Sequence, residues 1–396
     1  MNSSDPRHFF ESDAAQSNRE RREAKSKNKH GSPVVLKSKL AAATLDPNSP
    51  SDTVFVAETA GSVRRVNVDT EDTSNVYRGP TAPVTCVAVG GPQSRTVFAG
   101  SWDTYVWSWN IETRRPGFKF AGHSDFVKAV ACAKLSGKHI LISGGADKKI
   151  MVWDVATGVR LHSITDSVMN MLALQSLAID PILSSDDQIC LFSAGSDPNI
   201  RRWNIRLDEW EQLVDVAPAT PSVERRMLSV HDTGVYKVLF DLFGDEADLW
   251  TASADGTAKC LSRGKGFNTE DSLEHGDHVR AVAVTDQWVI TAGRDEDLKV
   301  WDRASGSLYC ILQGHYDEVT DLVVLTRGMG HGERLVSVGI DGTIRTWPLD
   351  RVALDAAVEE QNKPLSTETE GQEIGAHSAD ALTAEEEAEL AELMDD

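Results

Sequence analysis

The chain has 396 residues, of which 40% are hydrophobic and 26% charged, and its formal net charge is −21 at pH 7. This composition is typical of a soluble globular protein with a large core. No stretch approaches the ~20 apolar residues of a membrane span, and the N-terminus lacks the basic and then apolar order of a leader. Five scattered cysteines without a CxxC pair indicate a reducing compartment, so we expect a nuclear or cytoplasmic protein.

Residues 1–33 form a polar N-terminal arm in which basic side chains outnumber acidic ones. The arm carries Arg19, Arg21, Arg22, Lys25, Lys27 and Lys29 against Glu20 and Glu23. Such a run occurs in solvated tails and also in segments that bind import receptors or other anionic partners. The interspersed glutamates favour the solvated tail.

Directly after the arm, residues 34–37 read VVLK, and seven tight turns then recur at intervals of 40 to 58 residues. Each turn is followed six residues later by a tryptophan or an aliphatic residue. The turn positions are Ala60, Asp103, Asp147, Asp197, Asp255, Asp295 and Asp341, and the paired positions are Val66, Trp109, Trp153, Trp203, Leu261, Trp301 and Trp347. A period near 40–45 residues, with strand-length apolar runs around each turn, is typical of four-stranded propeller blades.

Three of the repeats carry a more specific signature. Residues 144–154 read GGADKKIMVWD, residues 292–302 read AGRDEDLKVWD, and residues 338–347 read VGIDGTIRTW. The chain therefore resembles the WD-repeat family. The resemblance implies an all-β fold, a single seven-bladed β-propeller over residues 34–352, with flanking termini that lack a fold of their own.

In that family a histidine, a serine or threonine, the turn aspartate and the tryptophan form a hydrogen-bonded chain inside each blade. The resemblance implies three complete chains: His123, Ser143, Asp147 and Trp153; His275, Thr291, Asp295 and Trp301; and His315, Ser337, Asp341 and Trp347. A turn carboxylate needs donors and a buried indole N–H needs an acceptor, so these residue types also fit physically. The other four blades lack at least one member, and we expect them to depend on packing alone.

A propeller must close its ring, and the VVLK segment is the candidate strand. We expect it to complete the last blade beside Trp347 and so to remove an exposed sheet edge. Two inserts interrupt the repeat. Residues 166–187 fit either a core-facing strand or a partner groove through Met169, Met171, Leu172, Leu174 and Leu177. Residues 207–230 are predicted to be a loop that carries Trp210, Pro218 and Pro221.

The loops that hold the turn aspartates define a rim. One rim position directly precedes the turn residue, and another lies three to five residues past each histidine. In the WD-repeat family such positions commonly contact partners; here they hold Trp102, Phe126, Lys128, Tyr236, His278, Arg280, Arg294 and Glu318. Aromatic and arginine side chains dominate binding hot spots. Because three of these side chains make a positive patch on one blade, the expected ligand is an acidic or phosphorylated segment.

Two further patterns suggest other chemistry. His275, Asp277 and His278 are spaced closely enough for a metal, but His275 already has a structural role, so no metal or other cofactor is expected. Trp203, Asn204, Ile205 and Arg206 resemble the WDxR box by which some WD-repeat proteins dock onto the damage-binding adaptor of cullin ubiquitin ligases, with Asn in place of Asp. The triad-like sets of Ser, His and Asp recur in several blades, which indicates structure rather than catalysis.

Residues 353–396 form an acidic tail with fourteen acidic side chains against Lys363 alone. We expect most of it to be disordered, with a short helix near its end behind Thr383 and Glu386, which have capping-box spacing. Tethered beside the rim, the tail could compete with a partner for the positive patch.

The sequence therefore predicts a non-enzymatic interaction scaffold or complex subunit, whose partners are other proteins and not membranes or nucleic acids. Three alternatives remain. These are a substrate receptor of a cullin-type ubiquitin ligase, an acidic escort for a basic client such as a ribosomal protein, and an enzyme with a site at the channel mouth.

Overall fold

The described part of the chain folds into seven successive antiparallel sheets and one separate two-stranded sheet, with one α-helix before them and one after them. The computed structural model describes residues 13–166, 171–217, 220–242, 246–326 and 332–363. The sheets follow one another in chain order, and the first strand of each blade lies innermost. The predicted seven-bladed propeller is confirmed.

The elements of the N-terminal half begin with helix α1 (Asp13–Ser26) and strand β1 (Val34–Val35). Blade 1 contains β2 (Leu40–Leu45), β3 (Thr53–Glu58), β4 (Ser62–Asn67) and β5 (Asp72–Arg78). Blade 2 contains β6 (Val84–Gly90), β7 (Thr96–Ser101), β8 (Tyr105–Asn110) and β9 (Pro116–Ala121), with a 3-10 turn at Pro92–Ser94. Blade 3 contains β10 (Val127–Leu135), β11 (Lys138–Gly145), β12 (Ile150–Asp154) and β13 (Arg160–Ile164).

Blade 4 contains β14 (Leu174–Ile179), β15 (Ile189–Gly195), β16 (Asn199–Ile205) and β17 (Trp210–Gln212). Next in the chain, β18 (Asp215–Ala217) and β19 (Thr220–Arg225) pair as a separate two-stranded sheet, and β20 (Met227–Ser229) pairs with β16. Blade 5 contains β21 (Val235–Phe240), β22 (Leu249–Ser253), β23 (Thr257–Ser262) and β24 (Asn268–Glu274). Blade 6 contains β25 (Val279–Val284), β26 (Trp288–Gly293), β27 (Asp297–Asp302) and β28 (Leu308–Gln313). Blade 7 contains β29 (Val319–Leu325), β30 (Arg334–Gly339) and β31 (Thr343–Pro348), followed by helix α2 (Arg351–Gln361).

The hydrophobic core is divided among the contacts between neighbouring blades. Val54 and Val56 of blade 1 pack with Val336 and Val338 of blade 7, which joins the two ends of the ring. The middle strands are buried most completely because a sheet covers each of their faces, and every residue of β12 is buried.

The ring is closed by the strand that the sequence predicts. In blade 7, β1 pairs antiparallel with β31, and Val34 lies opposite Ile344. The N–H of Leu36 then donates to the carbonyl of Gly342 at 2.8 Å. An N-terminal segment therefore covers the outer edge of the last blade, which would otherwise be open to pairing with another chain.

Every inner strand contains the same irregularity near its start. The register with the second strand shifts by one residue in all seven blades, which is a β-bulge that redirects one side chain. The bulged residues, here called the bulge ring, are Ala41, Thr85, Lys128, Gln175, Tyr236, Arg280 and Thr320. All seven line a central channel of about 610 Å³.

The basic arm is not merely a solvated tail, since part of it docks on blades 6 and 7. Arg21 and Lys25 of α1 form ion pairs with the two carboxylate oxygens of Glu296, at 2.6 and 2.8 Å. Arg22 pairs with Asp317 at 2.9 Å. The side chain of Glu296 is only 4% exposed, so the arm supplies the countercharge that this buried carboxylate requires.

The segment after α1 continues this contact. Asn28 accepts a hydrogen bond from the buried guanidinium of Arg345 at 2.8 Å and donates to the carbonyl of Gly314 at 2.8 Å. The carbonyl of Gly31 accepts from the N–H of Thr346 at 2.7 Å. Residues 28–31 therefore belong structurally to blade 7.

Helix α2 includes the first residues of the predicted acidic tail. Leu354 is fully buried against blades 6 and 7, and Gln361 accepts a hydrogen bond from the N–H of Gln313 at 2.6 Å. The rest of the tail, including Thr383 and Glu386, lies outside the described residues. Neither of the two helices in the described ranges has the length and apolar character that crossing a membrane requires.

The structure agrees with the prediction for one of the two inserts and contradicts it for the other. The first contains a core-facing strand, β14, as the sequence favours, and Met171 and Leu174 are buried. Met169 lies outside the described residues. The prediction of a loop for the second insert is wrong: this segment forms β17 to β20, and the indole of Trp210 packs edge-on against Trp203 at 5.9 Å. Two Pro residues hid this pairing, and Pro218 itself is outside the described residues.

Candidate partner-binding face

Three blades contain the complete hydrogen-bonded chains that the sequence predicts. In blade 7, His315 lies 2.9 Å from Asp341 and 2.7 Å from the hydroxyl of Ser337, which accepts the indole N–H of Trp347 at 2.9 Å. The same arrangement joins His123, Ser143, Asp147 and Trp153, and His275, Thr291, Asp295 and Trp301. Burial would raise the pKa of Asp341, but hydrogen bonds from His315 and Thr343 hold it below its usual value. The turn is thus fixed around an ionised carboxylate.

Blade 5 keeps this chain without its tryptophan. His231 lies 2.8 Å from Asp255 and 2.7 Å from the hydroxyl of Thr251, which donates to the carbonyl of Lys259 at 3.1 Å. Leu261 fills the tryptophan position. Despite partial burial, hydrogen bonds from Thr257 and the charge of His231 lower the pKa of Asp255 to about 2.

Blade 4 replaces the missing histidine with an arginine. The guanidinium of Arg201 is nearly fully buried, and its Nη1 donates to both carboxylate oxygens of Asp197 at 3.0 and 3.1 Å. Its Nε donates to Asp166 at 2.8 Å. Trp203 still donates to Ser193 at 2.8 Å.

Blades 1 and 2 also contain polar substitutes. In blade 2, the turn carboxylate of Asp103 accepts the indole N–H of Trp107, two residues before the expected tryptophan, at 2.9 Å. In blade 1, Glu58 accepts from the hydroxyl of Ser62 and from Nε of Arg64, the latter at 2.9 Å. The expectation that the irregular blades depend on packing alone is therefore wrong. A buried turn still needs its polar groups satisfied, and other residue types do this.

Four of the eight predicted rim residues line the channel, namely Trp102, Lys128, Tyr236 and Arg280. Trp102 directly precedes the Asp103 turn, and Phe126 precedes β10 in the next blade. Their rings stack at 4.7 Å with an interplanar angle of 15°. The pair stays exposed, at 44% for Trp102 and 38% for Phe126, and Trp102 also lines the channel.

A second group of rim residues meets around Arg280. Its guanidinium lies over the ring of Tyr236, 4.2 Å from the centroid. Its Nε lies 3.0 Å from Glu318, in an ion pair that lacks hydrogen-bonding geometry. Two members of this group, Tyr236 and Arg280, belong to the bulge ring, as does the predicted rim residue Lys128.

His278 and Arg294 lie apart from the channel. Arg294 is exposed, with its Nε 3.9 Å from a carboxylate oxygen of Asp277, and its N–H donates to the carbonyl of His278 at 3.1 Å. The predicted positive patch on blade 6 is therefore partly compensated by acidic neighbours. Both ring nitrogens of His275 are engaged by Thr291 and Asp295, which leaves neither for a metal.

Sequence reasoning missed other channel residues. Lys39, Lys237 and Asp321 line the channel, and Lys237 and Asp321 form an ion pair at 2.8 Å. Each residue of the bulge ring directly follows the Val or Leu that begins an inner strand, and this position could have identified the ring in the sequence. Its orientation depends on a bulge, which a strict alternation of inward and outward residues does not predict.

The residues of the adaptor-like box separate in the structure. Trp203 is buried, and Asn204 donates to Glu211 at 3.1 Å. Arg206 is exposed just past β16, where it forms an ion pair with Glu209 at 2.5 Å.

Comparison with known proteins adds independent information on these repeats. The family model for the WD domain, G-beta repeat, matches residues 72–110, 114–154, 269–302 and 306–348. An uncharacterized WD repeat-containing protein of Schizosaccharomyces pombe is 31% identical over 407 residues, which cover all of both chains. Autophagy-related protein 16 of Arabidopsis thaliana is 24% identical over 64% of this chain and 45% of its own length. A ribosome biogenesis protein WDR12 homolog of Arabidopsis thaliana is 32% identical over 38% of this chain and 33% of its own length.

Proposed function

Because this chain belongs to the WD-repeat family, we propose that it is a non-enzymatic interaction scaffold or complex subunit. Its partner-binding surface, here called the rim face, consists of the channel mouth and the eight rim residues: Trp102, Phe126, Lys128, Tyr236, His278, Arg280, Arg294 and Glu318. The ligand is a peptide or a domain of another protein.

The stacked pair of Trp102 and Phe126 carries this proposal. Large aromatic side chains are usually buried, and an exposed aromatic pair beside polar side chains is the composition of a binding hot spot. Burial under a partner would remove this apolar surface from water at a small cost in side-chain entropy, because the stack already holds both rings in place.

The cysteine among the described residues that line the channel is not an activated nucleophile. Cys86 lines the channel, but burial raises the pKa of its thiol to about 12, so the nucleophilic thiolate is scarce at neutral pH. The histidines near the rim at positions 123, 231, 275 and 315 are engaged in the blade chains. These observations support a binding role over a catalytic one.

The test is affinity purification with quantitative mass spectrometry from cells that express a tagged chain. We expect Trp102→Ala with Phe126→Ala to lose the partners that the wild-type chain captures. The matched control is Phe118→Ala with Leu308→Ala, which removes two other exposed hydrophobic side chains, on the outer strands β9 and β28. Equal loss in both double variants, or in neither, would contradict the assignment of the rim face.

A ubiquitin-ligase receptor is the second candidate, since the exposure of Arg206 meets the requirement for a docking arginine. It predicts co-purification of the damage-binding adaptor with the wild-type chain and its loss with Arg206→Ala. Arg95→Ala is the matched control, because it removes an exposed arginine that is paired with Glu112 on blade 2, outside the rim face. Absence of the adaptor from wild-type complexes would exclude this function.

An acidic escort for a basic client is the third candidate. The net charge of −21 and the similarity to a ribosome biogenesis protein support it. Such binding would weaken steeply between low and physiological salt, because exposed charges are screened over ~8–10 Å. Partner capture that does not change with salt would exclude the escort function and would favour binding through Trp102 and Phe126.

A further inference from the structure

Helix α1 reaches blades 6 and 7 through charged side chains. Arg21 and Lys25, one helical turn apart, donate to the Oε1 and Oε2 atoms of Glu296 at 2.6 and 2.8 Å. Arg22 donates to Asp317 at 2.9 Å. Among the residues of α1 whose exposure is described, only Lys25 is half-buried and the others are exposed. The only apolar residues of the helix are alanines, so α1 adds no large hydrophobic side chain to the core.

Glu296 occupies a turn position that favours glycine. Its φ of 72° lies in the left-handed region, where a side chain is strained. The same position, directly after the turn residue, holds Thr104 in blade 2 and Lys148 in blade 3. In blades 1, 5 and 7 it is a glycine with φ of 88°, 90° and 76°, namely Gly61, Gly256 and Gly342. Blade 6 thus places a carboxylate at a strained position, and such strain is commonly found at functional contacts.

The next residue, Asp297, has a carboxylate oxygen that α1 does not satisfy. Its Oδ1 is buried and accepts no hydrogen bond from a described residue, whereas its Oδ2 accepts from Gln313 at 3.4 Å. Burial raises the pKa of Asp297, and the positive charge of Lys25 acts in the opposite direction. A buried acceptor without a donor is destabilising. A ligand with one more donor than α1 would therefore bind here better than α1 does.

The contact between α1 and the blades is weak enough to be exchanged. The side chains of Arg21 and Arg22 are 49% and 48% exposed, and ion pairs of exposed side chains contribute little and are screened by salt. An isolated helix of 14 residues is also only marginally stable in water. The short connection from α1 to β1 keeps the helix close to its carboxylates, which favours docking through a high effective concentration.

We infer that Glu296, Asp297 and Asp317, here called the acidic site, bind a basic helical segment of a protein partner, and that α1 occupies this site in the free protein. The partner's segment carries two basic side chains one helical turn apart, as Arg21 and Lys25 are. Its binding releases α1 from the blades.

The acidic site adjoins the rim face. Glu296 follows the rim residue Arg294 by two positions, and Asp317 directly precedes the rim residue Glu318. A partner that covers the rim face therefore also meets α1. The inference rests on the proposed function, because it assigns a chemical character to one segment of the partner that the rim face binds.

The test uses the full-length protein with α1 released by charge reversal. Arg21→Glu with Lys25→Glu turns both cations that hold Glu296 into like charges, and this variant is here called the released chain. The matched control is Lys27→Glu with Lys29→Glu. It changes the net charge equally, but it alters two exposed side chains that lie outside α1.

The probe is a fluorescent peptide of residues 13–30 whose helix is stabilised by a lactam. Gln16→Lys allows the bridge to Glu20, since these two side chains lie one turn apart and already bond at 2.9 Å. Binding is measured by fluorescence anisotropy at low salt. We expect the probe to bind the released chain about tenfold more tightly than the wild type or the matched control, because tethered α1 competes at an effective concentration on the order of millimolar.

Glu296→Gly removes the carboxylate and relieves the strained turn, since glycine adopts this conformation readily. Added to the released chain, it should weaken probe binding about tenfold, the usual scale for one charge-assisted contact. Asp208→Gly, which removes an exposed carboxylate of blade 4, should leave binding unchanged. A probe with Arg21→Glu and Lys25→Glu should not bind.

Equal affinity of the probe for the wild type and the released chain, including no binding to either, would overturn the acidic site. So would undiminished binding after Glu296→Gly, or binding to the matched control as tight as to the released chain. The proposed function fails separately, if Trp102→Ala with Phe126→Ala keeps all partners while the probe still binds the released chain.

Discussion

Arg201 holds Asp197 through Nη1, with 3.0 and 3.1 Å to the two carboxylate oxygens, at a turn where four other blades use a histidine. It lies four residues past the aspartate on β16 rather than on the preceding loop. Asp166 accepts from the same guanidinium at 2.8 Å. One side chain thus bridges the turn of blade 4 to the segment that leads into that blade.

Arg201→Leu should destabilise the protein strongly, because it removes the guanidinium from two buried carboxylates. We expect a loss of about 3–5 kcal/mol in the free energy of unfolding, measured by urea titration at pH 7. Arg206→Leu changes an exposed arginine of the same blade and should cost less than about 1 kcal/mol. Similar losses in both variants would mean that Arg201 is not a structural replacement for histidine.

Asp341→Ala should destabilise blade 7. The carboxylate accepts from His315, from the N–H of Tyr316 at 3.2 Å and from the N–H and hydroxyl of Thr343, both at 2.9 Å. Leaving such buried donors without an acceptor costs ~1–3 kcal/mol. Asp208→Ala, in an exposed turn, is the control. A melting temperature for Asp341→Ala that equals the wild-type value would show that the hydrogen-bonded chain of blade 7 does not contribute to stability.

The turn carboxylates should make stability fall in acid. The pKa of Asp255 is about 2 in the folded protein, below the ~3.9 of an unfolded aspartate, so the ionised group stabilises the fold above about pH 4. That contribution is lost as the pH falls from about 4 through about 2. Asp255→Asn should therefore show a shallower decline in the free energy of unfolding across this window. Asp208→Asn should follow the wild-type curve; if Asp255→Asn does too, the carboxylate is not linked to folding.

Truncations should separate the two roles of the N-terminal segment. Deleting residues 1–12 keeps every described contact and should leave the melting temperature unchanged. Deleting residues 1–30 removes the ion pairs to Glu296 and the partner of Arg345, so we expect a lower melting temperature with soluble protein. Deleting residues 1–37 also removes β1 and opens the edge of β31, which should cause aggregation, seen by size-exclusion chromatography.

The sequence alone would have suggested that residues 1–30 are dispensable. If the shortest and the middle truncation melt alike, the docking of α1 contributes nothing to stability. If the middle and the longest behave alike, β1 does not close the ring.

The amino-acid sequence determined the fold, the number of blades and the ring-closing strand. Local signals are sufficient for these features, because each blade repeats a turn, a strand alternation and a hydrogen-bonding set at short separation. His315, Ser337, Asp341 and Trp347 could be recognised as one hydrogen-bonded set because three blades contain all four residue types. In each, the Trp lies 10 residues after the Ser or Thr, and the His lies 16, 20 or 22 residues before the Ser or Thr.

Only the tertiary structure decided what replaces that chain when a member is missing, and what lines the channel. Arg201 contacts Asp197, and the N-terminal arm contacts Glu296. Neither contact belongs to the repeated pattern of the blades, so no regular spacing in the sequence predicts it. The bulge ring depends on one inserted residue per inner strand, and a shift of one residue reverses which side chain faces the channel. Lys128 and Arg280 are separated by three blades along the chain, and only closure of the ring sets them facing the same cavity.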